Sequence, residues 1–170
     1  IQLLLNSGAN VKLKNNNGQN VLFRVSNGGI TPELIKDIIK RGADPKIIDK
    51  HGQTPLHTCW NAASCKVLIE AGVKINVQDH DGKTALMSRI TNAYGVAKEK
   101  LPDLCDTLIQ AGINLKASDK IDNTAFNYAV RYENRHCADA ILKAGFDINT
   151  KDKSGKTIIE YLEDDHPMIR

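Results

Sequence analysis

The sequence predicts an all-α solenoid of stacked helix-turn-helix pairs with projecting hairpin-like loops, and three periodic markers predict it. A Gly closes an apolar helical stretch at Gly8, Gly42, Gly72, Gly112 and Gly145, with separations of 34, 30, 40 and 33 residues. An Asp or Asn that can open a turn recurs in the same series, at Asn15, Asp49, Asp79, Asp119 and Asp152. Five residues after each of these stands a helix-capping side chain: Asn20, Thr54, Thr84, Thr124 and Thr157. Self-similarity at a fixed period of ~20–50 residues is the signature of repeat architecture. Three markers sharing one irregular series exclude coincidence.

Each unit follows from local chemistry. Turn elements such as Asp49 to Gly52 and Asp79 to Gly82 put Asp and Gly where a tight turn needs them. Thr54 then suits a helix N-cap, and Pro55 suits the first helical position, where its missing N–H is harmless. A short first helix follows, over 56–60 or 85–90. After a turn, the second helix carries apolar residues at i, i+1, i+4 and i+5, as in Leu34, Ile35, Ile38 and Ile39 or Leu104, Cys105, Leu108 and Ile109. That spacing makes one apolar stripe. Thr31-Pro32-Glu33 and Leu101-Pro102-Asp103 read as two equivalent starts of second helices, with Pro and an acid at the positive helix end. The closing Gly suits a left-handed C-cap.

These residues resemble the ankyrin repeat, a unit of ~33 residues with the motif T-P-L-H-x-A. Thr54-Pro55-Leu56-His57 matches four letters, with Cys59 in place of the Ala. Thr84-Ala85-Leu86-Met87 and Thr124-Ala125-Phe126-Asn127 are degraded versions, and Ala129 keeps the small residue. The family's G-A-x-V-N ending is echoed at Gly8 to Val11, Gly72 to Asn76 and Gly145 to Asn149. The resemblance implies one domain over 1–170: a partial unit 1–14, units 15–48, 49–78, 79–118 and 119–151, and a partial unit 152–170. The short 30-residue unit and the long 40-residue unit are expected to differ between their two helices, the long one around Ala93 to Lys100. Because Ile1 falls inside a second helix and IQLLL is not polar, the chain is expected to be an excerpt of a longer array, with ordered chain upstream.

Composition argues against several functions. The net charge of +3 is small and no basic block stands out, whereas nucleic-acid readers usually carry a basic patch or stripe. The apolar runs are only a few residues long, too short for a membrane span. Cys59, Cys65, Cys105 and Cys137 form no CxxC pair, and in the repeat register all four read as small core residues. His57 and Cys59, two apart on a helix, face different ways and cannot act as base and nucleophile. The resemblance implies a structural role for His57, bonded to the neighbouring backbone. His51, His80, His136 and His166 read as surface residues. No enzyme activity, metal, cofactor or small-molecule substrate is expected. A cytoplasmic or otherwise intracellular location is expected, with delivery into a host cell as a variant of it.

The resemblance implies protein recognition by a concave surface of loops and first helices. The family's variable positions fall on Asn16, Asn17 and Gln19, then Lys50, His51 and Gln53, then His80, Asp81 and Lys83, then Lys120, Ile121 and Asn123. The first helices add Asn27, Asn61, Thr91, Asn92, Arg131 and Tyr132. Such a polar, amide-rich set suits a wet interface of moderate affinity with another protein. Two alternatives remain: a structural spacer, or a targeting domain of a larger multidomain protein such as a bacterial or viral effector. Trp60 reads as an indole filling space vacated in the short unit, or as a partly exposed anchor. The 93–100 stretch reads as a tolerated insertion or as a private contact loop.

Overall fold

A computed structural model describes residues 2–24, 31–93, 96–151 and 155–160, with the side chains of 96–98 also outside the description. The positions Asn27 and Asp152, and Tyr94 and Gly95 of the long unit, therefore lie outside the described residues. The partial first unit supplies α1 (Gln2–Asn6), and unit 15–48 supplies a 3-10 turn (Val21–Phe23) and α2 (Pro32–Lys40). Units 49–78, 79–118 and 119–151 each supply a pair: α3 (Pro55–Thr58) with α4 (Ala62–Glu70), α5 (Ala85–Thr91) with α6 (Val96–Gln110), and α7 (Ala125–Arg131) with α8 (Arg135–Lys143). A helical turn at 158–160 opens the last unit. No strand is present among the described residues, only a single antiparallel bridge between Ser118 and Thr124.

The recurring Asp or Asn builds the turns. One oxygen of each accepts the backbone N–H groups two and four residues on. Asn15 takes Asn17 and Gln19, at 2.9 and 3.0 Å, and Asp49 takes His51 and Gln53, both at 2.9 Å. Asp79 takes Asp81 and Lys83, at 3.0 and 2.9 Å, and Asp119 takes Ile121 and Asn123, at 3.0 and 2.9 Å. The second oxygen then reaches another element. Asp49 Oδ2 accepts from Gln19 of the preceding unit at 2.6 Å, and Asp79 Oδ2 accepts from Gln53 at 3.3 Å. Asp119 Oδ2 instead accepts the Tyr128 hydroxyl. Turn tips also bond tip to tip through backbone, Lys50 N–H to Asn17 O, His80 N–H to His51 O and Lys120 N–H to Asp81 O, at 2.8–3.0 Å. Gly52 has φ 78°, and a Cβ there would lie 3.0 Å from the His80 nitrogen, so only Gly lets the tips stack this closely. Gly82 holds the same slot in the next turn, and Asp122 fills it in the 119–122 turn at φ 62°, a conformation Asp tolerates better than most residues.

Above the turns the chain packs as two helical layers. First helices α3, α5 and α7 follow one another, and second helices α2, α4, α6 and α8 form the other row. One apolar ladder, Leu22, Leu56, Leu86 and Phe126, runs through the first layer, and another, Ile38, Leu68, Leu108 and Ile141, through the second. Every rung is at most 3 % exposed, so each contributes about 1.5–3 kcal/mol of transfer free energy. The residue four after Gly8, Gly42 and Gly72 ties neighbouring units together. Lys12 lies across Gly42 and Lys46 across Gly72, while Asn76 donates to the Gly112 carbonyl at 3.3 Å and accepts from Asn114 N–H at 2.7 Å.

The caps follow the expected register. Thr31 caps α2 with Pro32 at its start, and Asn61 and Asn134 cap α4 and α8. His57 is 1 % exposed and bonded on both ring nitrogens. Its Nδ1 accepts from Thr54 N–H at 3.1 Å, which leaves Nε2–H to donate to the Lys83 carbonyl of the next unit at 3.2 Å. Asn127 holds the same slot in α7 and accepts from Thr124 N–H at 3.3 Å.

Two expectations are corrected. The short unit loses its residues from the first helix itself: α3 ends at Thr58, and Cys59 is already extended, with ψ 128°. The 56–60 helix is thus one turn only. In the long unit the second helix does not begin at Leu101-Pro102. It starts at Val96 and runs through Pro102 to Gln110. The stretch 96–100 is rich in good helix formers, and the helix continues through Pro102 although this interior position gives up one backbone bond. The surplus is therefore spent largely on helix.

Burial holds the pKa of His57 below its usual 6.5. The unfolded chain binds that proton at the ordinary pKa, so the stability that neutral His57 contributes is present above about pH 6.5 and is lost as the pH falls below it. His57→Asn should keep the cap, as Asn127 does, and lose the bond to Lys83, at a cost of about 1 kcal/mol near neutral pH. Thermal melts at about pH 7 and about pH 5 should show a smaller fall for the variant than for the parent.

Candidate protein-binding face

The turn tips form one row, because each is held to the next by a backbone bond. On that row Asn16, Asn17, Lys50, His51, His80, Asp81, Lys120 and Ile121 are exposed, Ile121 to 73 %. Their backbones are engaged while their side chains are offered outward. Other expected positions are placed differently. Gln19 and Gln53 are half-buried and donate to Asp49 and Asp79, so they serve the joints between units. Asn123 is 6 % exposed and Thr91 7 %, and both lie beneath the surface. Asn61 is exposed, but its side chain is committed to capping α4 through Ser64 N–H at 2.9 Å.

At the end of α7, Arg131 and Tyr132 are exposed. The Tyr132 ring lies 6.3 Å from that of Tyr128, and the ammonium of half-buried Lys83 stands 5.1 Å from the Tyr128 centroid. Lys83, Tyr128 and Tyr132 thus make an aromatic-cationic cluster behind the tips of the last two full units. Tyr128 was not among the sequence candidates. Its signal was present, as the large residue in the x position of the T-P-L-H-x-A slot.

A second cluster was also missed. Arg89 occupies the motif position that is Cys59 in the preceding unit and Ala129 in the following one. A large cation in a small-residue slot needs space, and the one-turn α3 beside it supplies that space. Arg89 is 6 % exposed, and its guanidinium carbon lies 4.3 Å from the Trp60 ring centroid. Trp60 is half-buried, so the indole caps an arginine that fills the vacancy, a division of labour that the sequence reading assigned to Trp60 alone. Arg89 Nε has no hydrogen-bond partner, and among the described residues no carboxylate lies within ion-pair reach of the guanidinium. Burial lowers its pKa to about 10, which still leaves it charged at neutral pH.

All four cysteines are free and buried. Among the described residues no three His, Cys, Asp or Glu side chains converge as metal ligands, and no helix is long and apolar enough to cross a membrane. A groove of about 520 Å³ runs between Trp60 and the start of α4 on one side and Lys100, Asp103 and Asp106 of α6 on the other.

The fold defines a helical-repeat solenoid with an exposed row of turn tips. A family model described as ankyrin repeats (3 copies) matches residues 1–79 and 25–98, and the chain belongs to the ankyrin repeat family. Ankyrin repeats as a class are protein–protein interaction modules. The chain is 28% identical over 144 residues to a protein named L-asparaginase from Dirofilaria immitis, covering 83% of this chain and 23% of that protein. It is 33% identical over 97 residues to Rabankyrin-5 of Mus musculus, covering 55% of this chain and 8% of that protein. It is also 29% identical over 133 residues to the nuclear factor NF-kappa-B p105 subunit of Gallus gallus, covering 74% and 13%. The chain spans less than a quarter of the length of these relatives.

Removing the buried, unpaired charge while keeping its bulk should not harm the fold. Arg89→Met is expected to melt at or above the parent temperature, whereas Trp60→Ala should lose about 2 kcal/mol through lost packing and cation–π contact. Calorimetry of the two variants checks both signs.

Proposed function

We propose that this chain recognises another protein through its turn tips and the end of α7, with Asn16, Asn17, Lys50, His51, His80, Asp81, Lys120, Ile121, Lys83, Arg131 and Tyr132 as the contact set. One observation carries the reading: the tips are bonded to one another through backbone while their side chains remain exposed. Such a row is pre-organised, so little ordering entropy is lost on binding. The set is rich in cations, with Asp81 its one acid, which favours a partner surface that is polar and acidic. Ile121 and Tyr132 are its large apolar-bodied members and the natural anchors. The small share of each relative that the chain spans supports a second reading, in which this recognition segment directs a larger polypeptide to its target.

The test is affinity capture from cell extract followed by titration of the partner obtained. Joint Ile121→Ala and Tyr132→Ala substitution should weaken binding at least about tenfold, and Lys66→Ala with Lys143→Ala on the second-helix layer should leave it unchanged. Equal affinity of all three chains would refute the contact set.

A further inference from the structure

We propose that the cavity between the last two turns of the array binds a small organic acid, an apolar ring or short chain that carries one carboxylate. The cavity has a volume of about 240 Å³ and lies between residues 116–127 on one side and 146–151 with 156–158 on the other. Pockets for drug-sized ligands measure ~300–1,000 Å³, so this one suits a smaller molecule. No residue of the proposed contact set lines it, so the two proposals are independent of each other.

The cavity exists because three residues that close the preceding joint are exchanged at this one. There Gln78 donates to the Ser118 carbonyl at 2.8 Å, Asn76 reaches the Gly112 carbonyl at 3.3 Å, and Met87 fills the space with its side chain fully buried. The residues 40 positions on are Ser118, Lys116 and Asn127, and all three line the cavity. Ser118 is too short to span the joint, and its hydroxyl faces Asp122 of its own turn at 3.5 Å. Lys116 does not brace Gly145, beside which a Cβ would meet nothing within 4 Å. Asn127 spends its carbonyl on Thr124, and its amide nitrogen makes no bond among the described residues. His57, in the same slot two units earlier, reaches across to the Lys83 carbonyl at 3.2 Å. Space and donors that the earlier joints consume are thus left open here.

The lining selects the ligand. Its floor is apolar, with Phe146 and Ile158 buried and the Phe146 ring held at 5.2 Å from that of Phe126. Its mouth carries the exposed lysines Lys116, Lys151 and Lys156 against a single carboxylate of the lining, Asp122. The carboxylate of Glu160, four residues after Lys156, is spent on the N–H and hydroxyl of Thr157. An apolar floor with a few convergent polar groups is the usual form of a small-molecule site. Three cations against one acid favour an anion, and a carboxylate bonded to an ammonium is stronger than a neutral pair. The floor adds contact that an inorganic ion cannot use.

The experiment titrates the intact chain at neutral pH with benzoate, with its neutral isostere benzamide, and with inorganic phosphate, following each by calorimetry and ligand-detected NMR. Benzoate should bind saturably, and benzamide and phosphate should each bind at least about tenfold more weakly. The double variant Ser118→Gln with Asn127→His, confirmed folded by its melt, puts back the side chains that bridge at Gln78 and His57 and should lose benzoate at least about tenfold. Lys116→Gln with Lys151→Gln should bring benzoate down to the level of benzamide. No saturable benzoate binding, equal affinity for benzoate and benzamide, phosphate bound as tightly as benzoate, or undiminished benzoate binding by the bridged variant would overturn the proposal. The comparison of the three probes on the parent chain needs no variant and decides alone.

Discussion

Each of the four full units depends on one carboxylate or amide placed at the start of its turn. One oxygen closes the turn on the chain's own backbone, and in two units the other receives a glutamine from the unit before. A single side chain thereby sets local conformation and inter-unit register together. That coupling explains why the turn marker, the capping marker and the closing Gly keep step through units of different length. The distances near the turn cannot vary without breaking bonds on two sides, while the far ends of the helices are free to lengthen or shorten.

Much of this was legible in the sequence, because the features that repeat are those with local causes. Asp at the turn, Thr31, Thr84 and Thr124 at helix starts, and Leu56 and Leu86 on the inner ladder each act within a few residues of themselves. The misreadings fall where the cause is tertiary. Pro102 looked like a helix start because proline usually is one. Only the packing of α6 against its neighbours, together with the helix-forming stretch before it, carries the helix through. Asn123 looked exposed by analogy with its equivalents, yet it is covered in the one unit whose turn carboxylate binds Tyr128. Arg89 was overlooked because its slot is read as small. The vacancy that admits it is created thirty residues earlier.

The proposed recognition surface follows from the same division. Backbone groups of the tips are used up in holding the row, so the side chains there are released from structural duty and can vary without loss of fold. Positions one step closer to the helices, Gln19, Gln53 and Asn123, are not free in this way. On the proposed contact set a partner would meet an edge whose chemistry is set almost residue by residue, with Ile121 and Tyr132 as the apolar bodies that interrupt the polar run.

The cross-struts four residues after each closing Gly run from Lys12, Lys46 and Asn76 to the next unit. Among the described residues no equivalent contact of Lys116 with Gly145 is made. The junction before α8 is held by other means, with α8 packed on both α6 and α7 and His136 facing Asp106 of α6 at 3.2 Å. Joints made from different contacts can change independently, so a substitution at one strut need not disturb the next.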